Sequence, residues 1–192
     1  MTSPATGRPL RADALRNRAR ILQAAEAVFA EQGTSASTED VARRAGVGIG
    51  TVFRHFPAKE SLIEAVFTEL MRRLADEADA LVSAPDPGEA LFALLARMVD
   101  MSAAKNAYAD ALAAAGVDMD EALAEGRREL PRVLGILLTR AQEAGAVRPD
   151  IGVPELVTLM VGMSRAAETA PPDVRSRTFQ VVFDGLRTPV EP

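Results

Sequence analysis

Residues 37–59, STEDVARRAGVGIGTVFRHFPAK, read as two short helices around a tight turn, then the start of a third. Ser37 and Asp40 stand three residues apart, the spacing of a capping box. The cap begins a helix with Val41, Ala42 and Ala45 on its apolar side. Gly46 falls where that helix must stop, because glycine takes a positive φ without a Cβ penalty. Val47 folds back into the turn. Residues 48–50 lead into a second short helix, with Val52, Phe53 and Phe56 at contact spacing. This outline is the helix-turn-helix pattern, whose second helix enters the major groove of DNA. A plain helical hairpin shares the outline, so function has to be argued from the rest of the chain.

The chain has 192 residues and is 48% hydrophobic, enough for a sizeable core in one domain or two small ones. Aromatic residues are few, and alanine, leucine and methionine carry the apolar load, which favours helix. There is no cysteine, which removes disulfides, thiol nucleophiles and thiolate metal sites together. The single histidine, His55, leaves little from which to build a zinc site or a catalytic pair. The expectation is therefore no catalytic residue, no metal and no cofactor. GVGIG at residues 46–50 follows a helix rather than a strand and lacks the spacing of a phosphate loop. No signal-peptide core and no apolar run long enough to cross a bilayer is present, so a cytoplasmic protein with no membrane partner is expected. The net charge is −5, but residues 1–60 hold nine Arg/Lys against six Asp/Glu. The remainder holds thirteen against twenty-one, so a basic head precedes an acidic body. That asymmetry suits a head that meets a polyanion.

Working outward, residues 1–12 read as a flexible arm. A helix follows over 13–32, with a buried stripe of Leu15, Ile21, Leu22, Ala25, Val28 and Phe29. Arg16, Arg18 and Arg20 near its start oppose the helix dipole, which makes backbone contact with DNA a reason for them. Pro57 can occupy the first turn of a long helix to about Leu81. Later helices are expected over 89–101, 105–115, 118–126, 129–143, 154–168 and 174–186. Two prolines break the chain at 83–88, and Pro171 and Pro172 break it again. The fold class is all-α: a three-helix N-terminal head and a larger helical bundle, about nine helices in all. The expected domains are an arm at 1–12, a DNA-binding domain at 13–56, a ligand-binding and dimerisation domain at 57–187, and a tail at 188–192.

RILQAAEAVFAEQG at residues 20–33, STEDVARRAGVGIGTVFRHFPAKESLI at 37–63 and, more weakly, VRPD at 147–150 resemble the TetR/AcrR family of bacterial regulators. The likeness covers about the first 65 residues well. It implies a homodimer that binds a palindromic double-stranded operator, usually represses, and lets go when a small molecule enters the larger domain. It implies that Gly48, Ile49, Gly50 and Thr51 form the groove-facing start of the recognition helix. Phe53 and His55 would touch the backbone, with Arg54 beside them as the side chain able to reach guanine. Lys59 would meet a phosphate, and Thr38, beside the cap Ser37, would add a hydroxyl and backbone amides to another. Arg43 and Arg44 are further phosphate candidates that also suit the end of their helix. Two departures stand out: glycine at 48, where the family often caps with serine, and Phe53, which lacks the hydroxyl of the usual tyrosine. Few polar side chains then face base edges, so DNA shape gains weight over direct readout.

In the body, Met98, Met101 and Met163 suit an adaptable cavity, and Tyr108 could hydrogen-bond a ligand. The expected effector is hydrophobic or amphipathic. Leu156, Leu159, Met160, Phe179, Val182 and Phe183, on the last two helices, are the candidates for a four-helix seam with a second copy. Closing the chain's own core is the other use for them. The expected function is a DNA-binding repressor released by that effector. An activator, or a helical adaptor that does not bind DNA, are the alternatives.

Overall fold

A computed structural model describes residues 7–118, 126–166 and 168–188 of the chain. Among the described residues the backbone forms nine helices: α1 (Gly7–Gln32), α2 (Thr38–Ala45), α3 (Ile49–His55), α4 (Lys59–Leu81), α5 (Pro87–Asp100), α6 (Ser102–Ala114), α7 (Gly126–Glu143), α8 (Val153–Ala166) and α9 (Pro172–Leu186). The fold is all-α. Its one extended pairing among these residues is an isolated antiparallel bridge between Val147 and Arg187. The helix expected over 118–126 lies almost wholly outside the described residues, as do residues 1–6 of the expected arm and most of the 188–192 tail.

The chain divides into two compact units. The first runs to Phe67 and takes in the stretch from Ala107; the second begins at Thr68 and includes α5, the start of α6 and everything from α7 onward. The expected boundary at 56/57 therefore shifts. The cause is packing: Leu62, Ile63, Val66 and Phe67 at the start of α4 are buried in the first unit. Tyr108 and Leu112 of α6 join them, Tyr108 meeting Phe29 and Phe67 edge-on at centroid distances of 6.2 and 6.5 Å.

In the first unit α1 buries Ile21, Ala24, Ala25, Val28 and Phe29 and packs on α2, which buries Val41, Ala42 and Ala45; α3 packs on α2 in turn and buries Val52. The helix starts at Gly7, not at residue 13. Pro9 interrupts nothing there, because the first-turn amides of a helix have no intrahelical partner. Leu15 leaves the expected stripe: it is 69% exposed, and burial begins only at Ile21. Pro57 likewise stays outside α4. The Ser61 hydroxyl accepts the Ala58 amide at 3.2 Å, so the helix is capped from within its own first turn and begins at Lys59.

The second unit buries Leu91, Leu94 and Leu95 of α5 with Val133, Leu134, Leu137 and Leu138 of α7 and Leu156 of α8. Each such leucine contributes about 1.5–3 kcal/mol. Asp86 caps α5 by accepting the Glu89 amide at 2.9 Å, with Pro87 in the first turn. Gly88 permits a close approach, since a Cβ there would lie 2.6 Å from the Ala146 methyl. Arg140 donates to the carbonyls of Val82 and Ala84, tying down the turn before α5. Helices α5, α7 and α9 begin two or three residues earlier than expected. Pro87 and Pro172 sit inside first turns, where a missing N–H costs little.

Candidate functional site

The turn between α2 and α3 is set by local chemistry. The Ser37 hydroxyl accepts the Asp40 amide at 3.1 Å and donates to the Asp40 carboxylate at 2.7 Å. At the other end Gly46 lies at φ 65°, ψ 38°. Its amide reaches the Arg43 carbonyl at 3.2 Å, and the Val47 amide reaches Ala42 at 3.1 Å, which is a Schellman stop. The Arg20 guanidinium donates to the Ala45 carbonyl at 2.6 Å, placing a cation on the negative end of α2. Arg20 therefore holds the motif together from within.

Helix α3 turns Val52 inward, with Phe56 buried just past its end, and leaves Gly50, Phe53 and Arg54 exposed. Phe53 is 44% exposed, a large apolar ring that its own chain covers only in part. Gly48 precedes the helix with no side-chain cap, and a Cβ at Gly48 or Gly50 would meet nothing within 4 Å. The start of α3 is thus bare backbone, open to close approach. Ile49, Thr51 and His55 are half-buried, and the His55 ring lies tilted against Phe56 at 6.4 Å. Thr38 is the first residue of α2 and Lys59 the first of α4.

The arginines near the motif are mostly engaged. Arg16 pairs with Asp13, Arg43 with Asp40 at 3.1 Å, and Arg44 grips Glu31 through two bonds of 2.6 and 2.7 Å. Arg18 lies 5.3 Å over the Phe56 ring. The bond from Arg44 holds the Glu31 carboxyl below its ordinary range, and that from Ser37 does the same for Asp40. Among the described residues no carboxylate lies within pairing reach of Arg54 or Lys59. Among the same residues no group of three His, Asp or Glu side chains has the arrangement of a metal site.

A cavity of about 370 Å³ lies within the second unit. Helix α4 gives it Met71 and Leu74, and α5 gives Met98 and Val99. Met101 and Lys105 close one side, and Leu130, Pro131 and Leu134 of α7 another. Helix α8 supplies Val157, Met160, Val161 and Ser164. Met98 and Met101 thus both line this cavity. Tyr108 and Met163 do not line the cavity: Tyr108 is packed on Phe29 and Phe67, and Met163 is buried elsewhere. Met160, read as a seam candidate, is buried and lines the cavity. Lys105 and Ser164 were missed. The signal was present at helical spacing, since each follows a lining methionine by four residues.

Of the other seam candidates, Leu156 and Phe179 are buried inside the chain, and Phe183 stacks on Phe92 at 5.9 Å and Phe179 at 6.4 Å. Val182 is half-buried. Leu156 and Phe179 thus belong to the core of their own unit, while Val182 and Phe183 keep part of their surface uncovered. The uncovered apolar residues on α8 and α9 are Leu159, Val161, Val174 and Val181.

A capped helix, a left-handed glycine stop and a short helix with an uncovered outer face define a helix-turn-helix DNA-binding protein, here joined to a cavity-bearing helical body. Residues 21–66 match the family model of bacterial regulatory proteins, tetR family, and residues 86–188 match that of the SbtR-like transcriptional regulator C-terminal domain. The chain belongs to the TetR family of transcriptional regulators and is a DNA-binding regulator. It is 42% identical to a TetR transcription regulatory protein from Mycobacterium vanbaalenii over 93% of this chain and 99% of that one, with a TM-score of 0.75. A TetR transcriptional regulator from Streptomyces coelicolor is 36% identical over 90% and 99% of the two chains, with a TM-score of 0.73. A helix-turn-helix transcriptional repressor of Mycobacterium tuberculosis is 49% identical over 67 residues, a match that spans 32% of this chain and 36% of that protein.

Proposed function

We propose that the protein is a repressor that binds a palindromic operator as a homodimer and is released when an apolar or amphipathic molecule fills the α4–α8 cavity. The observation that carries DNA docking is the outer face of α3, where bare backbone at Gly48 and Gly50 adjoins Phe53 and Arg54. Lys59, at the head of α4, adds a cation beside helix-start amides, a combination suited to a phosphate. Arg43 and Arg44 can exchange their exposed carboxylate partners for phosphate at little cost, since surface pairs are weak. The repressor sign draws support from the mycobacterial relative named as one. Exposed apolar residues on α8 and α9 support the dimer.

A mobility-shift titration against the DNA flanking its own gene tests this reading. The expected result is a preferred fragment whose binding weakens steeply with salt. Lys59→Glu should weaken binding and reduce the slope of log K against log salt by about 1 for each phosphate that is no longer neutralised. No preference over random duplex at moderate salt, or an unchanged slope in the Lys59 variant, would overturn the docking described.

A further inference from the structure

We infer that Phe53 reads thymine in the operator, through apolar contact between its ring and the 5-methyl group in the major groove. This rests on the docking of α3 proposed above and adds the base that its exposed face selects.

Gly50, Phe53 and Arg54 stand at i, i+3 and i+4, so they share the side of α3 turned away from the buried Val52. Gly50 puts no side chain there, and a Cβ on it would meet nothing within 4 Å. That side therefore presents open backbone, one phenyl ring and one guanidinium. Val52 and Phe56, both buried, hold the opposite side in the core, which keeps Phe53 outward. The sequence of α3, IGTVFRH, holds no Asn, Gln, Asp or Glu. It lacks the side-chain amide that pairs with the N6 and N7 edge of adenine, and the carboxylate that accepts from the N4 amine of cytosine. An A·T pair still offers this helix the thymine methyl, the apolar group that the major groove displays. The Phe53 ring has no donor or acceptor for a phosphate, and at 44% exposed it has apolar surface left to bury. Arg54 beside it brings the positive charge that draws this same side to the duplex.

The test uses a duplex selected by the full-length protein from a random pool, with deoxyuridine then replacing thymidine one position at a time in both half-sites. Deoxyuridine removes the methyl and keeps the hydrogen-bonding edges. At one or more positions the wild type should bind about fourfold more weakly for each buried methyl removed. At one such position the penalty should vanish in Phe53→Ala and persist in Phe53→Met, which keeps an apolar side chain of similar reach. Absence of any deoxyuridine-sensitive position, or penalties that all survive Phe53→Ala, would overturn the inference while leaving DNA docking in place; a ring resting on sugar carbons would give that result. If the pool yields no preferred duplex, the docking itself falls and the inference with it.

Discussion

The Ser37 hydroxyl accepts the Asp40 amide in the first turn of α2 and donates to the Asp40 carboxylate, so its removal has two separable effects. Ser37→Ala should cost about 1 kcal/mol of stability at neutral pH, the usual worth of an N-cap, read from the urea midpoint. The second effect is in pH. The bond from Ser37, with help from Arg43, holds Asp40 below its ordinary value of 3.8. A carboxyl depressed on folding contributes stability that is complete above its unfolded value and is lost as pH falls through its folded one. Wild-type stability should therefore decline as pH drops below about 4, and this decline should be shallower in Ser37→Ala. An identical acid slope in both proteins would mean the hydroxyl does not set the Asp40 titration. Single residues differ in how far the bare sequence betrays them. The cap was legible because its two members are three apart. The grip of Arg44 on Glu31 was not, because it joins residues on different helices through the packing of α1 on α2.

At the level of elements, the turn between α2 and α3 depends on two glycines with opposite demands. Gly46 needs its positive φ, and a Cβ there would also lie 3.1 Å from the Arg20 guanidinium. Gly46→Ala should destabilise by about 1–2 kcal/mol. Gly48 sits in extended backbone with open space around it and caps α3 without a side chain. Gly48→Ser should stabilise by roughly a few tenths of a kcal/mol, since serine can accept a free amide of the first turn. Thermal unfolding of the two variants should move in opposite directions; a shift of the same sign would refute the contrast. Helix positions were legible because burial imposes a 3.6-residue repeat, which is why Ile21, Ala25, Val28, Phe29, Val41 and Val52 all lie in the core as read. Helix starts were less so. Gly7, Pro9, Pro87 and Pro172 are breakers in composition, yet they are tolerated in first turns, and that tolerance moved the starts of α1, α5 and α9 earlier. The recognition helix came out at nearly its expected limits because a capless glycine and a buried Phe56 bound it on both sides.

At the scale of the whole molecule, the proposed homodimer needs an apolar surface that the chain itself leaves uncovered. Leu156 and Phe179 are buried in the core of their own unit, and Phe183 is half-buried against Phe179, so the proposed second copy is best met by side chains more exposed than these. Val181 is 66% exposed, and Val174 on the same helix and Leu159 and Val161 on α8 are exposed with it. Uncovered apolar side chains of this size on the last two helices suit a self-complementary contact about a two-fold axis. The sequence pattern read Leu156 and Phe179 as seam candidates, and both are buried within their own chain. Apolar positions around most of a helix do not reveal which side the chain itself will cover. Val181→Glu tests the surface cleanly. A side chain so exposed contributes little to the chain's own core, so unfolding stability should change by less than about 0.5 kcal/mol per chain. Sedimentation should show the wild type at twice the chain mass and the variant at the chain mass. The variant should also lose its preference for a two-half-site operator over a single half-site, because linked heads gain from effective concentration and separate ones do not. A dimer that survives Val181→Glu with unchanged affinity would move the interface away from α9.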